Sequence, residues 1–284
     1  MNLMRELVST HMDAKRSLSK DTDVVVLIPH YNNLEGLKQS LFAVSQSTIP
    51  VDVLVVDDGS SPLVEEDQLR QIYSSTTVLH SPTNEGVEHA LNRGLRYIWD
   101  RQLYKYVARL DAEDVCSPDR FAKQREFFQN NPDVFLVGSW ALFVDRSGKP
   151  LWRFCPPVKH KHIHKRMFLN NMFCHPAVMC RLEVFKEVGF YSTDHPCAED
   201  FALFFKVTRR FKVANIPEYL VRTFVTPGGV SLGWRNQQLR SRLRVILDNF
   251  DFSLWAFYGL MRNLLLLLLP YPLIQNLKCR LFRP

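Results

Sequence analysis

Three short, mostly apolar segments, each cut off by a polar turn, constrain this chain more than any other feature. Val24–Ile28 is continuously apolar, while Val51–Val56 is interrupted only by Asp52 and Tyr106–Leu110 only by Arg109, and all three are too short for ordinary helices. Such runs read as strands buried on both faces of a sheet. Helical spacing separates them: Leu37, Leu41 and Val44 lie within Glu35–Gln46, and Val87, Leu91, Leu95 and Ile98 follow later. A polar helix around Glu65–Tyr73 and a short strand near Val78–His80 fill the interval. The alternation predicts an α/β fold with a mostly parallel central sheet covered by helices. In such sheets ligands bind beyond the carboxyl ends of the strands. Asn32, Asp58 and Asp111 each follow a different strand there.

Downstream, Ser117-Pro118 starts a helix that ends near Pro132, and Val134–Phe143 reads as a strand. The second half is less regular. Helices are expected over Lys159–Asn170 and Arg181–Val188, with short strands at Ala177–Cys180, Lys212–Ile216 and Tyr219–Thr223. Ala198-Glu199-Asp200 opens another helix, with Phe201, Phe204 and Phe205 on one face. Pro227-Gly228-Gly229 is the candidate boundary. The expected organisation is an extension over 1–21, a main domain over 22–232 and a basic C-terminal region over 233–284.

Charge is unevenly placed. The net charge is +7, yet residues 235–284 alone carry eight Lys/Arg against two Asp. The body is therefore near neutral, which argues against a nucleic-acid partner. The longest apolar stretch, Leu254–Ile274, is interrupted by Arg262 and Asn263 and broken by Pro270 and Pro272. It falls short of the ~20 apolar residues of a spanning helix. With its flanking cations and aromatics it is expected to lie on an anionic membrane surface. A core helix under the main domain, or a dimer contact, is the alternative. Residues 1–23 alternate charges, so no secretory signal is expected, and the six cysteines form no C-x-x-C pair. Reduced thiols in the cytoplasm are the simplest expectation.

Chemistry concentrates in a few segments. Asp111-Ala112-Glu113-Asp114 puts three carboxylates in four residues after a buried strand. If the segment is extended, alternate residues share a face and Asp111 and Glu113 converge on one ion. Oxygen ligands suit Mg²⁺ or Mn²⁺ better than zinc. A solvated acidic turn is the plainer alternative. Asp57-Asp58 is a turn that either bonds its own backbone or offers a carboxylate to a ligand. Glu199-Asp200 is either an acidic first helical turn or a general base in a cleft. His160, His162 and His164 lie among four cations, a basic face better suited to an anionic partner than to a metal. His175 precedes Pro176 and is either structural or part of a site. There is no Gly-rich phosphate loop, G-x-S-x-G or H-E-x-x-H.

The order of motifs resembles the family 2 glycosyltransferases of GT-A (Rossmann-like) fold. The resemblance rests on Pro29-His30-Tyr31-Asn32, Val55-Val56-Asp57-Asp58-Gly59-Ser60-Ser61, Asn84-Glu85-Gly86 with Ala90-Leu91-Asn92-Arg93-Gly94, Arg109-Leu110-Asp111-Ala112-Glu113-Asp114 and Ala198-Glu199-Asp200. It spans roughly residues 22–232. His175-Pro176-Ala177-Val178-Met179, Gly189-Phe190-Tyr191 and Leu220-Val221-Arg222 resemble the branch that builds bacterial lipopolysaccharide, lipooligosaccharide or capsule.

The resemblance implies a role for each motif. Pro29, Tyr31 and Asp58 would hold the nucleotide base, and Arg93 would border it. Asp111 would face the ribose and metal, Glu113 would ligate Mn²⁺ or Mg²⁺, and Asp200 would be the general base. It further implies a nucleotide-sugar donor, a glycan or lipid-linked glycan acceptor, an inverting transfer, and a place on the inner face of the cytoplasmic membrane. Glu113 stands where Asp is commoner, and Thr223-Phe224-Val225-Thr226 lacks the His often found there. Transfer to polyprenyl phosphate, or a catalytically silent nucleotide-sugar-binding module, are the alternatives.

Overall fold

The structure, a computed structural model, describes residues 22–225 and 235–268. The expected extension over 1–21, the Pro227-Gly228-Gly229 boundary, and the end of the apolar stretch from Leu269 through Pro270 and Pro272 lie outside the described residues.

The first half is the predicted alternation. Its elements are β1 (Val24–His30), α1 (Leu34–Ser45), β2 (Asp52–Asp57), α2 (Glu66–Arg70), β3 (Thr76–His80), α3 (Val87–Arg101) and β4 (Tyr106–Arg109). The strands β3-β2-β1-β4 are parallel neighbours in that order. Period-2 geometry sends alternate side chains to opposite faces. Val25, Leu27, Leu54 and Val56 pack with Leu91, Leu95 and Ile98 of α3 on one face. Val24, Val26, Ile28, Val53 and Val55 pack with Leu37, Leu41 and Val44 of α1 on the other. Both faces are dry, so the strands are mostly apolar on both sides, and buried polar exceptions such as Asp52 are hydrogen-bonded, here by the Tyr104 hydroxyl.

The second half extends the sheet. It comprises β5 (Val115–Cys116), α4 (Arg120–Asn130), β6 (Val134–Val144), β7 (Pro150–Phe154), α5 (His160–Met167), β8 (Met179–Arg181), α6 (Val184–Val188), α7 (Glu199–Arg210) and β9 (Lys212–Phe224). The order continues β4-β8-β6-β9-β5, with β8 antiparallel to both neighbours and β7 a hairpin partner of β6. The two short strands expected over 212–223 form one long strand. Its register on β6 passes from Ser139↔Ile216 to Trp140↔Tyr219, so Pro217 and Glu218 are bulged out of the ladder. A bulge removes the need for the N–H that proline lacks. The helix expected from Ser117-Pro118 begins later, capped at Asp119.

Two C-terminal helices, α8 (Arg235–Asp248) and α9 (Leu254–Leu268), pack on this body. Leu239, Leu243, Val245 and Ile246 of α8 are buried, as are Ala256, Gly259 and Asn263 of α9. Gly259 permits close approach: a Cβ there would lie 2.3 Å from the Phe168 carbonyl oxygen.

The turn after β2 is held by a buried carboxylate. Asp57 accepts from the Ser60 N–H (3.2 Å) and the Val64 N–H (3.1 Å), and its oxygens lie 3.4 Å and 3.3 Å from the His30 and His80 rings. Burial alone would raise its pKa, but these hydrogen bonds outweigh burial and lower it from 3.8. Ionised Asp57 therefore stabilises the fold above about pH 4, and that stability is lost as pH falls through the lowered native value. Asp57→Asn should cost about 1–3 kcal/mol at pH 7. Denaturant titrations of both proteins from neutral to acid pH should show the gap closing below about pH 4. A gap that stays constant into acid would contradict this role.

Candidate active site

The exits of β1, β2 and β4 open into one cleft of about 850 Å³, whose far wall is built by the segment before β8, the start of α7 and α8. Pro29, Tyr31, Asp58, Asp111 and Asp200 all line it. The topology predicts this edge, because ligand sites of parallel sheets form beyond the carboxyl ends of the strands.

The β1 and β2 exits are stitched together. The Asn32 N–H donates to Ser60 Oγ (2.9 Å), the Ser61 N–H donates to Asn32 Oδ1 (2.9 Å), and Asn33 caps α1 through the Gly36 N–H (3.1 Å). Gly59 holds φ +73°, and a Cβ there would strike the Thr83 backbone at 2.5 Å. This leaves Tyr31 half exposed in the cleft beside Pro29. The two aspartates divide the alternatives left by the sequence. Asp57 is spent on its own turn, whereas Asp58 faces the cleft. Asp58 accepts from the Glu85 (3.1 Å) and Gly86 (2.9 Å) N–H groups, so the Asn84-Glu85-Gly86 loop is fixed to the cleft wall.

Arg93 is not among the lining residues. Its guanidinium pairs with Glu85 of that loop at 3.1 Å. It borders the site only through the loop.

The acidic cluster is not extended. The Asp114 N–H donates back to the Asp111 carbonyl (3.1 Å) and Glu113 has φ +92°, so the segment is a tight turn. Alternate residues consequently do not share a face. Asp111 lines the cleft, while Glu113 lies against α1, its N–H donating to the Gly36 carbonyl (3.0 Å). Buried Arg109 bonds the Leu27 and Leu110 carbonyls and the Asp111 carboxylate. Burial would raise the Asp111 pKa, but the Arg109 charge wins and lowers it. Asp114 goes the other way. Burial, then the Asp111 charge, push it well above the ordinary carboxylate range. Asp114 Oδ1 accepts from the Phe224 N–H (3.1 Å), tying the turn to β9.

At the opposite wall, α7 begins with Glu199 and Asp200. The buried Phe201, Phe204 and Phe205 root that helix in the core. Asp200 Oδ2 accepts from Asn171 (2.9 Å) and Oδ1 from the Phe201 N–H (2.6 Å). Burial and the adjacent Asp200 charge push Glu199 up to about 8. His175 Nε2 lies 2.9 Å from the Tyr191 hydroxyl, and burial and Arg109 push its pKa down to about 4. The imidazole is therefore neutral at pH 7. Asn171, Gln238 and Arg242 also line the cleft, and none of them carries a sequence signal.

A divalent cation needs a donor set. Among the described residues no three His, Cys, Asp or Glu side chains come together to hold one. Mg²⁺-type ions are commonly held by one or two carboxylates plus substrate phosphates. Asp111, ionised and facing the cleft, fits that arrangement; Glu113 in its present turn does not face the same space.

The sequence profile of glycosyl transferase family 2 matches residues 25–189. The chain belongs to glycosyltransferase family 2. Among similar glycosyltransferases, the amylovoran biosynthesis glycosyltransferase AmsE of Erwinia amylovora is 29% identical over 250 residues, covering 84% of this chain and 92% of AmsE. An uncharacterized glycosyltransferase of Methanocaldococcus jannaschii, MJ1057, is 27% identical over 70% of this chain and 69% of its own length. Two solved structures share the GT-A fold. Residues 1–349 of S. aureus TarS, in complex with UDP-GlcNAc, superpose with TM-score 0.64 at 17% identity, covering 86% of this chain and 72% of that one. A mannosyltransferase from Pyrobaculum calidifontis, in complex with GDP-Man and Mn²⁺, gives 0.62 at 16% identity over 99% and 88%.

The adjacent carboxyls of this glycosyltransferase make separable predictions. Glu199 is largely protonated at pH 7, so Glu199→Gln should keep turnover within about threefold there. It should also remove a pH response centred near 8. Asp200→Asn should lower turnover by roughly two to four orders of magnitude. A steep loss in Glu199→Gln with near-normal Asp200→Asn would reverse the assignment.

Proposed function

We propose that the chain transfers a hexose or N-acetylhexosamine from a nucleotide sugar, UDP-linked, to a hydroxyl of a growing bacterial surface glycan such as lipopolysaccharide or capsule. The observation that carries this reading is the convergence of Asp58, Asp111 and Asp200 on one cleft from three separate elements. Likeness to AmsE, named for amylovoran biosynthesis, and to TarS, solved with UDP-GlcNAc, supports the substrate class.

The residues divide the work. Pro29 and Tyr31 offer a flat apolar surface to the base, with Asp58 as hydrogen-bond acceptor beside it. Asp111 holds the diphosphate end, where a bound Mg²⁺ or Mn²⁺ would neutralise charge developing on the leaving group. Asp200 takes the proton of the acceptor hydroxyl, with both oxygens oriented by Asn171 and the Phe201 N–H. A single base facing the anomeric carbon gives one in-line displacement, so an α-linked donor yields a β-linked product. Incubation with UDP-sugars and a sugar acceptor, followed by NMR of the product, tests this directly. A retained α configuration, or a sugar phosphodiester product, would sink the reading. Excess chelator should stop turnover, and Asp111→Asn should remove any response to added manganese; full activity in chelator would remove the metal from the scheme.

The same reading puts the enzyme on the inner face of the cytoplasmic membrane. Helix α9 supports it. Its small residues face the body, while Leu254, Phe257, Tyr258, Met261, Leu265 and Leu268 form an exposed apolar stripe. Neighbouring α5 exposes Lys161, Lys165 and Arg166 and contains no acid. Such cations gain about 1 kcal/mol each near anionic lipid. No helix among the described residues is long and apolar enough to cross a membrane. Replacing Met261, Leu265 and Leu268 together by Ser should abolish sedimentation with phosphatidylglycerol vesicles while turnover of a water-soluble acceptor persists. Undiminished vesicle binding would contradict the membrane role.

A further inference from the structure

The charged residues lining the cleft are unequal in number. Five acids, Asp58, Glu88, Asp111, Glu199 and Asp200, face two arginines, Arg109 and Arg242. Arg109 is committed, since its guanidinium bonds Asp111 and two carbonyls. Arg242 is different. It reaches the cleft from α8 together with Gln238, one turn earlier on the same helix face. Its surroundings desolvate it and lower its pKa, and Asp200 is the acid that compensates most. Yet among the described residues no carboxylate lies within 4.0 Å of Arg242 and no acceptor hydrogen-bonds it.

A guanidinium carries five donors in a planar fork suited to carboxylate or phosphate. Held partly out of water without an acceptor, it costs stability unless a ligand supplies the anion. Its location says which ligand. In an inverting displacement the base and the attacking hydroxyl stand on one face of the anomeric carbon and the leaving group on the other. A cation beside Asp200 therefore meets the acceptor, while the donor diphosphate lies toward Asp111.

We propose that Arg242, with Gln238, forms an anion subsite for the acceptor, so that the accepting molecule carries a phosphate or carboxylate close to the hydroxyl that is glycosylated. This rests on Asp200 being the base.

The test is binding to the full-length protein saturated with UDP, so that the donor end is filled. Three probes are compared: methyl glucoside, methyl glucuronide and N-acetylglucosamine 1-phosphate. At least one anionic probe should bind roughly tenfold or more tightly than the neutral one, the value of a charge-assisted hydrogen bond. Preference for the glucuronide marks an acidic sugar, and preference for the phosphate marks a phosphate-bearing handle. Arg242→Gln should erase the preference while leaving UDP affinity within about twofold, and Arg242→Lys should retain part of it. Equal binding of all three probes by the native protein overturns the proposal, as does a preference that survives Arg242→Gln. A loss of UDP affinity of about tenfold or more in Arg242→Gln also overturns it, because the arginine would then serve the donor. Asp200→Asn separates the two readings: it should keep the anion preference while losing transfer. Transfer retained in Asp200→Asn removes the base assignment without touching the binding result.

Discussion

One buried guanidinium organises the centre of this molecule. Arg109 closes β4 with its side chain only 3% exposed as a residue, at the seam where the parallel strands meet antiparallel β8. A charge so placed needs partners, and Arg109 finds them through its two terminal nitrogens while its buried Nε has none among the described residues. Arg109 reaches the Leu27 carbonyl of β1, the Leu110 carbonyl of its own exit and the Asp111 carboxylate. Its own carbonyl accepts from Arg120 of α4 at 2.7 Å, and the same Arg120 nitrogen also reaches Val178 before β8. Arg109 thus joins Asp111, β1 and β4, and Arg120 ties that point to α4 and the segment before β8. The charge of the site and the continuity of the sheet are one constraint.

From this seam the cleft divides into two ends with different construction. The end beyond β1 and β2 is held by backbone donors and buried carboxylates: Asp57 fixes the β2 turn, Asn32 and Ser60 join two turns, and Asp58 pins residues 85–86. The opposite end is assembled from distant pieces. Asn171, Glu199, Asp200 and Arg242 come from three segments, joined by the Asn171–Asp200 hydrogen bond and by packing of α7 on α8. In the proposed function the donor takes the first end and the acceptor the second.

The sequence was informative where burial imposes a local pattern. Strands dry on both faces are written as mostly apolar segments, and Asp58 and Asp111 follow two of them directly. It was less informative where conformation departs from the regular. Pairing Asp111 with Glu113 assumed an extended segment, and the positive φ at Glu113 turns that side chain toward α1. Arg93 sits in a recognisable segment, where it pairs with Glu85 and does not line the cleft. Lys212–Ile216 and Tyr219–Thr223 read as two strands because the bulge at Pro217 and Glu218 leaves no apolar signature. Nothing periodic marks Arg242: its place in the cleft follows from how α8 docks.

In the proposed function the turns after the four parallel strands β1 to β4 close on one nucleotide. Amide hydrogen exchange of the full-length protein, with and without saturating UDP and Mn²⁺, tests it most directly. The account predicts slowed exchange at residues 30–33, 58–61, 84–86 and 111–113 together, with little change in β7 or α9. Protection absent from these turns, or confined to elements outside them, would contradict it.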